Sequence, residues 1–212
     1  MLFPGQGSQY LGMLSEAYDR FSIVRETFNE ASDVLGKDIW SLTRSKDDNL
    51  MNLTENTQPL LLSSSVGLWK EYIRTGVAPP AFLAGHSLGE FSALVCAESI
   101  EFADAIRLVR NRGQYMQEAV PVGTGAMAAI LGLEDKKIDS ICTELTRSRK
   151  DGLSVTAVNY NSPAQVVIAG HKQLIDEAID ALKAAGAKRV MLLPVSAPFH
   201  TPLMNSAVER LA

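Results

Sequence analysis

AFLAGHSLGEFSALVCAESI, residues 81–100, is the stretch on which the fold turns. Ala81-Phe82-Leu83-Ala84 is a short apolar run and predicts a buried strand. Phe91 to Ile100 predicts a helix, with Phe91, Leu94, Val95 and Ile100 apolar. The junction Gly85-His86-Ser87-Leu88-Gly89 has the form G-x-S-x-G. In that pattern the chain turns sharply from strand into helix and holds the serine on a strained corner. Glycine on both sides keeps bulk away from the hydroxyl, and the free N–H groups of the helix start favour developing negative charge. Five residues with three fixed recur by chance, so the motif counts only in its strand–helix context. The alternative is a glycine-rich turn with an ordinary surface serine.

Outward from this junction, short apolar runs alternate with helical patterns, which predicts an α/β layer fold. Met1-Leu2-Phe3 reads as the tail of a strand, followed by the loop Pro4-Gly5-Gln6-Gly7. Helical stretches are expected around 9–20, 21–35 and 56–75. Residues 124–193 behave differently. Strands are expected at Ala126–Leu133, Leu153–Asn159, Gln165–Ala169 and Lys188–Leu193, with helices at Lys136–Arg149 and Leu174–Ala185. The order β-α-β-β-α-β is the ferredoxin-like unit. The expected organisation is a larger body of residues 1–123 and 194–212 with a small subdomain, 124–193, inserted into it. A helical pattern runs from Asn205 to Ala212, and both ends look ragged, as in a fragment of a longer protein.

Composition narrows the function classes. With 212 residues and 46% hydrophobic content, the chain can bury a sizeable core. A net charge of -4 argues against nucleic acid or an anionic membrane as the main partner. No apolar run approaches the roughly 20 residues of a membrane helix, and no signal peptide is expected. Cys96 and Cys142 fall in different expected subdomains and read as reduced thiols of a cytoplasmic protein. Three histidines and two cysteines without ligand spacing predict no metal site.

One cation stands out. Residues 101–120 predict a helix with Phe102, Ala105, Ile106, Val109, Met116 and Val120 on one face. Arg107, Arg110, Asp104 and Glu118 fall opposite, but Arg112 lies on the apolar arc. A buried cation needs a partner. That partner is either an internal carboxylate or a substrate carboxylate, which a guanidinium grips through two parallel hydrogen bonds. Gly113 beside it reads as leaving access open.

A serine nucleophile also needs a base. His86 adjoins Ser87 and reads as structural. His171 precedes a helix and reads as a surface or capping residue. His200 lies in a proline-bounded loop after the last strand, and a nucleophile followed by a distant downstream histidine is the order of α/β-hydrolases. Asp104, Asp135 and Asp176 lie between Ser87 and His200, and none sits at a recognisable strand end.

FPGQGSQ at 3–9, AGHSLGE at 84–90, RGQYMQEAVP at 112–121, NSPAQVVIAGHK at 161–172 and PVSAPFHTPLM at 194–204 occur in this order. Together they resemble the malonyl-CoA:acyl carrier protein transacylases, the acyltransferase family of bacterial type II fatty acid synthesis. The resemblance implies an α/β-hydrolase-like large subdomain with an inserted ferredoxin-like small one. It implies that Ser87 carries the malonyl group and that His200 is general base and acid. The backbone N–H groups of Gln6 and Leu88 would form the oxyanion hole, with Gly5 and Gly7 letting the loop approach closely. Arg112 would hold the malonate carboxylate, Gln58 would line the pocket, and Phe199 before His200 resembles malonyl-selective members. Malonyl-CoA is then the substrate and acyl carrier protein the partner of a monomeric cytoplasmic enzyme, with no metal or redox cofactor.

Family members carry a later segment that orients the histidine, and its absence after His200 is expected to weigh on activity. Three other readings remain: a serine esterase or thioesterase, a non-catalytic carrier-protein-binding fragment, and the acyltransferase domain of a larger synthase. Lys183, Lys188 and Arg189 are candidates for a basic patch facing an acidic carrier, or a solvated helix end.

Overall fold

In the computed structural model of the chain, residues 1–45, 47–193, 195 and 197–212 are described. They form two compact units, Met1–Gln114 and Tyr115–Ala212. The expected boundary at Pro194, and Pro194 and Ser196 of the 194–204 loop, lie outside the described residues.

The first unit runs β1 (Leu2–Phe3), α1 (Ser15–Arg20), α2 (Ser22–Leu35), a 3-10 turn (Trp40–Arg44), α3 (Asp48–Asn52), α4 (Thr54–Arg74), β2 (Ala84–Gly85) and α5 (Leu88–Cys96). Helix α6 (Phe102–Glu118) contains the division between the units. The helix expected from residue 9 starts only at Ser15, because Gly12 and Leu14 both adopt positive φ (75° and 61°) and turn the chain first. The core gathers Val24, Phe28, Leu60, Leu62, Leu88, Ile106 and Val109. An aromatic cluster seals one end, with Tyr18 stacked on Trp40 at 3.8 Å and Phe28 edge-on to both.

β1 and β2 pair in parallel, Leu2 opposite Ala84 and Phe3 opposite Gly85. The buried strand expected at Ala81–Ala84 is therefore later, and shorter. Met1 continues the pairing: its nitrogen donates to the Phe82 carbonyl at 2.6 Å and its own carbonyl takes the Ala84 N–H at 3.0 Å. Phe82 is 85% exposed.

The second unit runs β3 (Gly125–Leu131), α7 (Asp135–Arg147), β4 (Val155–Ser162), β5 (Gln165–His171), α8 (Lys172–Ala184), β6 (Arg189–Leu192), a 3-10 turn (Pro202–Met204) and α9 (Asn205–Leu211). Its four strands lie in the order β4-β5-β3-β6, every neighbour antiparallel. Period-2 alternation sorts the central strands onto two faces. Ala126, Ala128 and Ile130 of β3 join Val166 and Ile168 of β5 under Ile138, Leu174, Ile175 and Leu182 of the two helices. Met127 and Ala129 join Val167 and Ala169 on the other face, with Phe199 and Met204. Both faces of β3 are covered, so its sequence GAMAAIL is apolar throughout.

Candidate active site

Ser87 occupies a corner. Its φ of 52° and ψ of -105° lie where non-glycine residues are rare, and α5 starts at the next residue, Leu88. The helix begins three residues earlier than its apolar pattern predicts, because the corner itself is its cap. A Cβ on Gly85 would run into the backbone of Gly89, and one on Gly89 into the carbonyl of Phe3. The two glycines thus let β1, β2 and α5 meet backbone to backbone. His86 fastens this junction through its main chain: its N–H donates to Phe3 O (3.1 Å) and its carbonyl accepts from Gly89 N–H (2.9 Å). The Leu88 N–H, at the positive N-terminal end of the helix dipole, has no acceptor among the described residues.

The glycine loop lies against the same corner. A Cβ on Gly5 would stand 2.5 Å from the His86 carbonyl, so Gly5 is required by close approach. Gly7 is different. Nothing lies within 4 Å of its Cβ position, and its φ of 104° is what demands glycine. Between them, the Gln6 side chain donates to Thr54 Oγ1 (3.3 Å), while its backbone N–H has no acceptor among the described residues.

Arg112 is half-buried on α6. Its Nη1 donates to Gln58 Oε1 at 2.8 Å and its Nη2 to Ser87 Oγ at 3.1 Å, with the guanidinium 5.5 Å from the Phe91 ring. No ion pair among the described residues includes it, so the internal carboxylate that sequence allowed as its partner is not found there. Burial pushes its pKa down from the ordinary arginine range, opposed in part by the charge of Glu90. Gly113 does not open access, as its position suggested. It is buried, and a Cβ there would lie 2.6 Å from Thr54 O and 2.7 Å from Glu55 Cα. It lets α6 touch the start of α4, which carries Gln58, and the Glu55–Arg110 pair at 2.7 Å fastens the same contact.

Ser87, Gln6, Leu88, Gln58 and Arg112 thus share the first unit, whereas His200 and Phe199 belong to the second. His200 also has positive φ, 64°. The buried Thr201 hydroxyl closes its turn by donating to Pro198 O at 2.7 Å, and Phe199 is 6% exposed. His171 stands at the start of α8, but its ring does not cap that helix; Nδ1 accepts from Ser154 N–H at 3.0 Å across the sheet. Asp104 and Asp176 are engaged with Arg107 and Lys172 on the surface. Among the described residues no group of three or more potential ligands is disposed to hold a metal, and no helix is long and apolar enough to cross a membrane.

The acyl transferase domain family matches residues 1–212. The malonyl CoA-acyl carrier protein transacylase of Salmonella typhimurium (strain LT2) is 54% identical over 211 residues, covering 100% of this chain and 67% of that protein. The chain belongs to the malonyl CoA-acyl carrier protein transacylase family. Two solved structures carry the same likeness. A type II PKS acyl-carrier protein in complex with its malonyl-transacylase superposes with a TM-score of 0.95 at 53% identity, covering 100% of this chain and 67% of the other. An acyl carrier protein S-malonyltransferase from Vibrio cholerae superposes with a TM-score of 0.92 at 51% identity, covering 99% and 67%. The chain spans about two thirds of the length of these relatives.

For a transacylase-family site, sequence reasoning missed several supporting groups. Gln9 and Asn52 bond each other at 2.8 Å, and Thr54 receives the Gln6 side chain. The only sequence signal was the polar run Ser8-Gln9 after the glycines. Asn52 and Thr54 precede the part of α4 that periodicity reveals.

Proposed function

We propose that the protein transfers the malonyl group from malonyl-CoA to the phosphopantetheine thiol of acyl carrier protein, in fatty acid biosynthesis. The observation that carries the substrate assignment is the Arg112 guanidinium, which donates to the Ser87 hydroxyl oxygen at 3.1 Å and has no carboxylate partner among the described residues. A cation beside an elbow serine suits an acyl group ending in a free carboxylate.

The reaction runs in two half-steps. His200 takes the Ser87 proton as Oγ attacks the thioester carbonyl of malonyl-CoA. The tetrahedral oxyanion is held by the N–H groups of Gln6 and Leu88, both without an acceptor among the described residues. The C–S bond breaks, CoA leaves with the proton from His200, and malonyl remains as an ester on Ser87. The carrier thiol then gives its proton to His200 and attacks that ester, and Ser87 leaves with the proton. Arg112 and Gln58 hold the malonate end throughout, and Phe199 shapes the pocket beside His200. No atom changes oxidation state and each proton has a donor, so no metal or redox cofactor enters.

The architecture that goes with this reading is an α/β-hydrolase-like large subdomain, 1–123 and 194–212, with a ferredoxin-like small subdomain, 124–193. The β-α-β-β-α-β order of the second unit supports the latter. We assign the enzyme to the cytoplasm, which suits its two free cysteines, and take it to act as a monomer. Lys183, Lys188 and Arg189, all exposed, are the proposed contacts for the acidic carrier.

Intact mass measurement before and after brief mixing with malonyl-CoA tests the first half-step. One malonyl adduct is expected, and none on Ser87→Ala. An adduct that persists in Ser87→Ala, or none on a protein extended to the full length of its relatives, refutes the assignment.

A further inference from the structure

We propose that Gln9 is a positioning residue for acylation, holding the Gly5-Gln6-Gly7 turn so that the Gln6 N–H faces the forming oxyanion. The inference rests on the transacylase reading above. A turn with glycine on both sides of its donor does not fix itself; Gly7 at φ 104° gives up more backbone freedom than any other residue would. Yet an oxyanion hole works only if its donors are already aimed before charge develops.

Side chains supply the missing rigidity. Gln9 Oε1 accepts the Gly7 N–H at 2.8 Å, and its Nε2 donates to Asn52 Oδ1 at 2.8 Å. Asn52 is the last residue of α3, so the turn is tied to a helix 43 residues away in the chain. The Ser8 hydroxyl donates to Gly5 O at 2.8 Å, closing the turn from its other side. The polar groups on either side of the Gln6 N–H are therefore engaged, while that N–H has no acceptor among the described residues. Glutamine suits this tie because one amide offers an acceptor to Gly7 and a donor to Asn52. A glutamate would lose the donation and bring negative charge toward the oxyanion.

The test compares Gln9→Met, Asn52→Leu and Asn52→Asp with the unaltered full chain. Rapid quenching after mixing with malonyl-CoA, read by intact mass, gives the rate of adduct formation on Ser87. Gln9→Met is expected to slow the saturated rate by about tenfold, with half-saturation unchanged because Arg112 is untouched. Asn52→Leu should show part of that loss. Asn52→Asp should recover it, since a carboxylate still accepts from Gln9 Nε2, and a general folding defect would show no such recovery.

An unchanged saturated rate in Gln9→Met overturns the inference. So does a loss confined to half-saturation, or an Asn52→Asp variant no better than Asn52→Leu. If a protein extended to the full length of its relatives forms no adduct on Ser87, the transacylase reading fails first and this inference falls with it.

Discussion

If Arg112 holds the malonate carboxylate as proposed, replacing it with alanine removes a cation beside Ser87 that distinguishes a malonyl from an acetyl chain. Both terminal nitrogens of the guanidinium donate, to Gln58 at 2.8 Å and to Ser87 at 3.1 Å. An arriving carboxylate gains two charge-assisted hydrogen bonds, worth about 1.5–3 kcal/mol each. It displaces the contact to the serine hydroxyl, worth about 1 kcal/mol. Arg112 is only half-buried, so solvent screening favours the lower end, a net of about 2 kcal/mol. That corresponds to about a 30-fold fall in kcat/KM for malonyl-CoA in Arg112→Ala. Acetyl-CoA has nothing to offer the cation, and leaving the guanidinium without a carboxylate is itself a penalty in the unaltered enzyme. Acetyl transfer should therefore change by less than about threefold. CoA release by both substrates, followed with a thiol reagent below saturation, measures the two ratios. An equal fall for malonyl-CoA and acetyl-CoA would refute the assignment of Arg112 to the substrate carboxylate.

Gly113→Ala should destabilise the first unit by about 1–3 kcal/mol, because its Cβ meets backbone atoms of Thr54 and Glu55, which cannot rotate away. An unchanged urea midpoint would show that α4 and α6 are not in backbone contact there. Cys96 and Cys142 should resist alkylation at pH 8 in the native protein and react fully once unfolded. Burial pushes both thiols up to about 12, assisted at Cys142 by Asp139 and resisted at Cys96 by Lys70. The folded pKa lies above the unfolded one, so the associated stability is complete below the ordinary thiol range and is lost as pH rises toward about 12. Rapid native labelling of either cysteine would contradict their burial.

The sequence by itself determined what depends on near neighbours. The elbow was legible because Gly85, Ser87 and Gly89 fall within five residues. The strands β3 and β5 were legible because each is a continuous apolar run. The misplacement of Arg112 showed in the 3.6-residue period of α6 alone. The start of α5 moved because a strained corner overruled periodicity.

Tertiary structure decided which groups meet. Arg112 reaches Ser87 across 25 residues and Gln58 across 54, and Gln9 reaches Asn52 across 43. Gly7 and Gly113 both read as glycines that clear space, Gly7 for the approach of its loop and Gly113 for access to Arg112. One is required by its φ and the other by an approaching helix, and only packing distinguishes those demands. Backbone propensity is set by a residue and its next few neighbours. Hydrogen-bond partners are set by where whole elements come to rest, and no local pattern carries that information.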